Sequence, residues 1–395
     1  MPRSLPDPIS ALRARLFMRA AHRHGMPLRE HNAVGLLPGG DAIFEATLAL
    51  IHSATRDVRF EMYSWSDDPV GRELMEALRA ASARGVAVRG LVDAVGSWGA
   101  GAMVAELRNA GADLRWFHPV AAWRPRLWNR RNHRKLLIAD GAEAVVGSAN
   151  WGLDYRPAEN QAAFLDVGLV LRGPSVADLV TDFASSWHRS EGGPLPAPEP
   201  AARGPIWTGP WREEALVQVV SSAAPGGRAF LRRHFRLLLS QVRGELLVAN
   251  AYFIPGLSVL RRLRQLARRG RRVVLLLPGA SDQPFVQAAS RHIYGTLLES
   301  GVRIFERERT MLHAKAALLD GETLFTGSAN LDPRSFRLNL ELNLLVRQPE
   351  IVAEAKARFE LQLPLSKERE AAAWLKRPWW ARAWSWFAYQ FRWWL

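Results

Sequence analysis

The sequence predicts an α/β protein made of one unit repeated in tandem. Three observations predict it. Strand and helix patterns alternate in both halves, glycines close the helices at matching places, and each half then carries His-x-Lys-x-x-x-x-Asp followed by Gly-Ser-Ala-Asn. In the first half, residues 58–64 read as a strand and 69–84 as a helix. Residues 86–93 read as the next strand, followed by a helix ending at Ala110-Gly111 and a strand at 114–117. The second half repeats the order: strand 245–250, helix 257–269, strand 272–277, a helix ending at Ser300-Gly301, and strand 302–305. Arg84-Gly85 matches Arg269-Gly270, because a glycine just past a helix takes the left-handed conformation that ends it.

The organisation follows from these patterns. Residues 1–34 form a basic segment with amphipathic helical character, 35–190 the first lobe, 191–212 a Pro/Gly-rich linker, 213–363 the second lobe, and 364–395 a tail rich in Trp and Arg. A chain of 395 residues with 48% hydrophobic residues can bury a core in each lobe. It has no cysteine, which excludes disulfides, thiolate metal sites and cysteine nucleophiles. The formal charge of +15 points to a polyanionic partner, either nucleic acid or an anionic bilayer. Neither a secretory signal nor an apolar run of ~20 residues stands out, so a soluble or peripheral protein is expected, not an integral one.

Lysine is scarce, and its placement is informative. Of the cations, only Lys135, Lys315, Lys356, Lys367 and Lys376 are lysine, and the first two sit in the repeated motif. A compact ammonium is therefore wanted there, not a guanidinium. The motif runs from His133 through Lys135 to Asp140, and from His313 through Lys315 to Asp320. The apolar stretch after each lysine reads as a buried strand ending in an Asp-Gly turn, and residues two apart share a strand face. A proton carrier or nucleophile thus lies beside a fixed cation, as attack on a phosphate requires. Asn150 and Asn330, with Ser148 and Ser328, can add neutral phosphate donors. A single copy would read equally well as a core histidine beside a surface lysine. Two copies with the same Gly-Ser-Ala-Asn after them exclude that reading.

On these residues the chain resembles the phospholipase D superfamily, and more specifically the bacterial cardiolipin synthases of the B type. The second half carries most of the likeness: 312–315, 327–335 and 338–341, with 250–255 and 284–291. The resemblance spans roughly residues 35–360. It implies tandem phospholipase D-like α/β/α sandwich lobes related by a pseudo-twofold, with the active site at their interface. It implies a phosphohistidine mechanism, with His133 as nucleophile and His313 as acid/base. Lys135, Lys315, Asn150 and Asn330 would hold the phosphate. It also implies a carboxylate orienting each histidine: Glu341 for His313 and, at a longer spacing, Asp166 for His133. Asp140 and Asp320 are catalytic candidates, with a structural role in closing the strand turn at least as well supported. This chemistry calls for no metal and no cofactor. The expected substrate is phosphatidylglycerol in an anionic membrane, at the cytoplasmic face, with no nucleic acid bound.

Two basic stretches bear on the partner. Residues 123–132 hold two Trp and four Arg before His133, fitting a loop that steers lipid headgroups, a strip on nucleic-acid phosphates or a plain solvated loop. Residues 374–394 hold seven of the sixteen tryptophans among Lys376, Arg377, Arg382 and Arg392, a composition suited to a bilayer interface or to a helix packed on the protein itself. Rival functions are another phosphatidyltransferase or phospholipase, phosphatidylserine synthase included, a nuclease of the same superfamily, and a non-enzymatic membrane scaffold.

Overall fold

Short apolar runs bounded by turn signals become strands of a single sheet. The computed structural model describes residues 26–120, 125–158, 164–190, 192–196, 206–223 and 226–395. The first lobe supplies β1 (Leu28–Leu37), β2 (Asp57–Met62), β3 (Ala87–Asp93), β4 (Asp113–Phe117), β5 (Lys135–Ala139), β6 (Glu143–Gly147) and β7 (Gly168–Arg172). The second supplies β8 (Arg212–Ser221), β9 (Glu245–Asn250), β10 (Arg272–Pro278), β11 (Arg303–Arg307), β12 (Lys315–Leu319), β13 (Thr323–Gly327) and β14 (Leu342–Arg347), with β15 (Lys367–Arg369) added at its edge. The spatial order is β15-β11-β10-β9-β12-β13-β14-β8-β1-β7-β6-β5-β2-β3-β4. Counted outward from the β1–β8 seam, both lobes have the same order, so the duplication read in the sequence is a pseudo-twofold through one continuous sheet.

Helices cover both faces. Along β5, Leu136 and Ile138 face one way and Leu137 and Ala139 the other, because side chains alternate across a strand. The first face carries a core shared by both lobes beneath the helices Pro174–Arg189 and Pro349–Gln362, where Phe183 and Trp187 meet Leu344 and Phe359. The second face carries a separate core for each lobe, one around Phe60 and Trp65 and the other around Phe235 and Tyr294. The predicted helix-closing glycines are in place: Gly85, Gly111, Gly270 and Gly301 all have positive φ, from 73° to 95°.

Several boundaries need correction. The basic helix expected over residues 1–34 lies, up to residue 25, outside the described residues, and the rest of that span enters β1. Likewise β8 takes the end of the expected 191–212 linker. These two strands are the seam itself: each must be read as paired with the other, and local periodicity carries no sign of that partner. The helix expected to end at Ser300-Gly301 is two, Pro284–His292 and Tyr294–Leu298. The tail is no free appendage. It forms β15 against β11, then the helices Ala371–Leu375 and Trp379–Gln390 packed on the second lobe. Among the described residues, no helix is long and apolar enough to cross a membrane.

Candidate active site

The site forms where β5 and β12 begin, beside the carboxyl ends of β2 and β9. Lys135 pairs in register with Met62 and Lys315 with Asn250. His133 and His313 lie two residues ahead of these strands, in segments that pair across the seam. The His133 N–H donates to the Leu340 carbonyl at 3.0 Å, and Leu340 N–H to Arg131 at 2.8 Å. In the same way His313 N–H donates to Leu165 at 2.8 Å, and Leu165 N–H to Met311 at 2.8 Å.

This crossing overturns the expected pairing of histidines and carboxylates. Glu341 follows Leu340 and therefore reaches His133, with both carboxylate oxygens 3.2 Å from Nδ1. Asp166 follows Leu165 and reaches His313 Nδ1 at 2.9 Å. Each carboxylate orients the histidine of the other lobe, so sequence spacing within a lobe was the wrong guide. Ser148 and Ser328 also change roles. Their hydroxyls donate to Asp166 and Glu341 and accept the Val167 and Leu342 N–H groups, so they fix the carboxylates and are not phosphate donors.

The motif aspartates stand at the far ends of their strands. Asp140 accepts from the N–H groups of Thr55, Arg56 and Asp57 at 2.8 to 3.0 Å, and Asp320 from those of Arg243, Gly244 and Glu245 at 2.8 to 2.9 Å. Both have φ near 53° and are followed by glycines of positive φ, as a type I′ hairpin turn requires. Of the two roles expected for them, catalytic and structural, these contacts fit the structural one: they tie β5 to β2 and β12 to β9.

The electrostatics suit a phosphodiester. Burial, then the charges of Lys135 and Lys315, holds His133 well below its usual 6.5, and burial and Lys315 lower His313. Burial brings Lys315 down to about 8 and moves Lys135 well below its usual value, partly through Lys315. The lysines and histidines thus act on one another across the seam, as half-sites of one centre. Glu341 is pushed up to about 7 by burial. For Asp166 burial is outweighed by His313, Lys315 and Ser148, and its carboxyl sits below the usual range. Lys135 Nζ donates to the His133 carbonyl at 2.8 Å, and Lys315 Nζ lies 2.9 Å from His313 Nε2. Asn150 donates to the Tyr155 hydroxyl at 2.7 Å and leaves its own buried carbonyl oxygen without a partner, while Asn330 accepts from Tyr252 N–H.

Other residues complete the site without having stood out in the sequence. Tyr63 meets the His133 ring edge-on at 4.8 Å and lies under Lys135, and Tyr155 meets His313 at 5.1 Å. Tyr252 donates to Asp282 at 2.7 Å. Three of only five tyrosines lie here, the same kind of scarcity that exposed the lysines. Asp93 accepts the Asn132 N–H at 2.8 Å and the buried Arg134 binds Glu61 at 2.8 Å, holding the approach to His133. In the basic stretch at 123–132, residues 121–124 lie outside the described residues. Arg131 is buried against His118 and Leu127 carbonyls, so it is not free to steer a ligand.

Two α/β lobes meeting over a pair of facing His-Lys half-sites define a phospholipase D-like protein. Comparison with known proteins agrees. Residues 47–187 and 236–362 match the family described as cardiolipin synthase, PLD-like domain, and the chain belongs to that family. It is similar to cardiolipin synthase B of Escherichia coli (strain K12), 35% identical over 336 residues that cover 80% of this chain and 77% of that one. A cardiolipin synthase of Geobacillus kaustophilus is 33% identical over 350 residues, covering 86% and 69%. In fold the chain resembles phosphatidylserine synthase of Haemophilus influenzae, with a TM-score of 0.69 at 15% identity over 95% of this chain and 97% of that one.

Proposed function

We propose that this protein is a phosphatidyltransferase that joins two phosphatidylglycerols into cardiolipin and releases glycerol. The observation that carries the chemistry is the pair of histidines, each with its Nδ1 held by a carboxylate of the opposite lobe, and with the Lys315 ammonium 2.9 Å from His313 Nε2. Similarity to relatives named cardiolipin synthases supports the lipid assignment.

His133, kept neutral, attacks phosphorus through Nε2 and forms the phosphohistidine. His313 gives its proton to the departing glycerol oxygen. The hydroxyl of the second phosphatidylglycerol then loses its proton to His313 and displaces His133. The asymmetry of the pairs favours this division of labour. An ionised Asp166 at 2.9 Å stabilises an imidazolium at His313, whereas Glu341 is only partly ionised near neutrality. Lys135, Lys315 and Asn330 hold the phosphate oxygens. The reaction takes place at the membrane surface, on the cytoplasmic face.

Purified protein incubated with phosphatidylglycerol vesicles is expected to yield cardiolipin and glycerol in equal amounts by lipid mass spectrometry, and His313→Ala none. Absence of cardiolipin from the wild type, or equal yield from His313→Ala, would sink the proposal.

A further inference from the structure

The tail docks on the second lobe, yet docking uses little of its aromatic surface. Trp374 stacks on Tyr294 at 5.0 Å, and the helix Trp379–Gln390 lies on Pro284–His292 with Ala388 buried between them. Away from that contact Trp379 is 79% exposed and Trp380 63%, with Trp386 and Trp394 exposed beside them. A folded protein does not normally hold so much contiguous indole in water.

Cations interleave with these rings. Arg377 lies 3.7 Å from the Trp374 ring centroid and Arg392 4.7 Å from that of Tyr389, each donating to a backbone carbonyl. Among the described residues no carboxylate pairs with Arg377, Arg382 or Arg392. Between the helix and Thr296 runs a groove of about 490 Å³, lined by Trp374, Arg377, Trp379, Arg382 and Trp386 and, on the facing side, by His292 and Glu299. The buried Trp374 Nε1–H at its wall has no acceptor.

This surface adjoins the catalytic cleft. Arg334 donates to the Trp394 carbonyl at 3.2 Å, and its charge reaches His133. Phe285, 5.7 Å from the Trp384 ring, stands three residues after Asp282, whose charge reaches Lys315.

We propose that this face docks the protein on an anionic bilayer. The tryptophans seat among the headgroups, and the Arg377–Arg382 groove takes the phosphate of a lipid that is not the substrate. Indole and guanidinium side by side match the headgroup layer, which is apolar beneath and anionic above. That the docked face then presents the cleft to its substrate rests on the phosphatidyltransferase reading; the docking itself does not.

Flotation with phosphatidylglycerol/phosphatidylcholine vesicles and with phosphatidylcholine vesicles tests the docking, beside turnover of monomeric short-chain phosphatidylglycerol. Trp379→Ala/Trp380→Ala/Trp386→Ala is expected to lower partitioning into both vesicles by at least about tenfold. Arg377→Gln/Arg382→Gln is expected to reduce the preference for anionic vesicles by roughly tenfold or more. Both variants should keep monomer turnover within about twofold, since neither touches the cleft. Unchanged flotation in either variant, or an equal loss of monomer turnover, overturns the docking. Flotation that depends on these residues in a wild type inert on both vesicles and monomers would support the docking and refute the transferase reading.

Discussion

A histidine serves as a nucleophile only while one ring nitrogen donates to a fixed acceptor and the other is free. Glu341 does this for His133 and is itself held by Ser328. Glu341→Gln keeps the shape but removes the anion, and is expected to lower kcat by about 10²- to 10⁴-fold with little change in KM. Phosphohistidine trapping and steady-state kinetics would show it; an effect confined to KM would assign Glu341 to substrate binding. The pH profile follows from Glu341 at about 7 and Lys315 at about 8. As pH falls through the first value, Glu341 takes up a proton and stops supporting the ring as an anion. As pH rises through the second, Lys315 loses the charge that meets the phosphate. A bell in kcat/KM is expected, and because Lys135 is also held well below its usual value by burial, Lys315→Arg should shift the alkaline limb without abolishing it. A profile flat from roughly pH 6 to 9 would contradict this assignment.

At the scale of elements, the motif aspartates link one strand to the start of its neighbour. Asp140→Ala leaves the N–H groups of Thr55, Arg56 and Asp57 without their acceptor. It is expected to cost about 1–3 kcal/mol in urea unfolding while the folded fraction keeps near wild-type kcat. Full stability with lost turnover would return Asp140 to catalysis. Much of this scale was legible beforehand. Helix ends at Gly85 and Gly270 follow from the left-handed backbone that glycine accepts, and the β5 and β12 strands follow from their apolar runs. The seam strands β1 and β8 were not, because their partner strands are distant in sequence.

Over the whole molecule, one sheet and one shared core carry both half-sites, and the carboxylates cross between lobes within the same chain. Mixing full-length His133→Ala with His313→Ala should therefore restore no cardiolipin synthesis, because every chain keeps one dead half-site. Restored synthesis in the mixed sample would mean that sites assemble between chains. The tail also belongs to this scale: composition alone left bilayer contact and packing on the protein as alternatives. The structure has one side of the helix packed on Pro284–His292 and the tryptophans on the other side exposed.

The sequence by itself determined the repeat, the α/β class and the four candidate residues His133, Lys135, His313 and Lys315; a carboxylate beside each histidine came only as what the family resemblance implies. The repeat, the class and the four residues are readable because they depend on residue type and short spacing, which the chain states directly. Only the tertiary structure decided which carboxylate serves which histidine, that Ser148 and Ser328 hold those carboxylates, and that Asp140 and Asp320 hold strands. The first depends on segments more than a hundred residues apart meeting at the seam, as His133 and Glu341 do at a separation of 208, and the others on how strands of one lobe lie side by side. Hydrogen bonds of that kind follow from packing, and no local pattern records them.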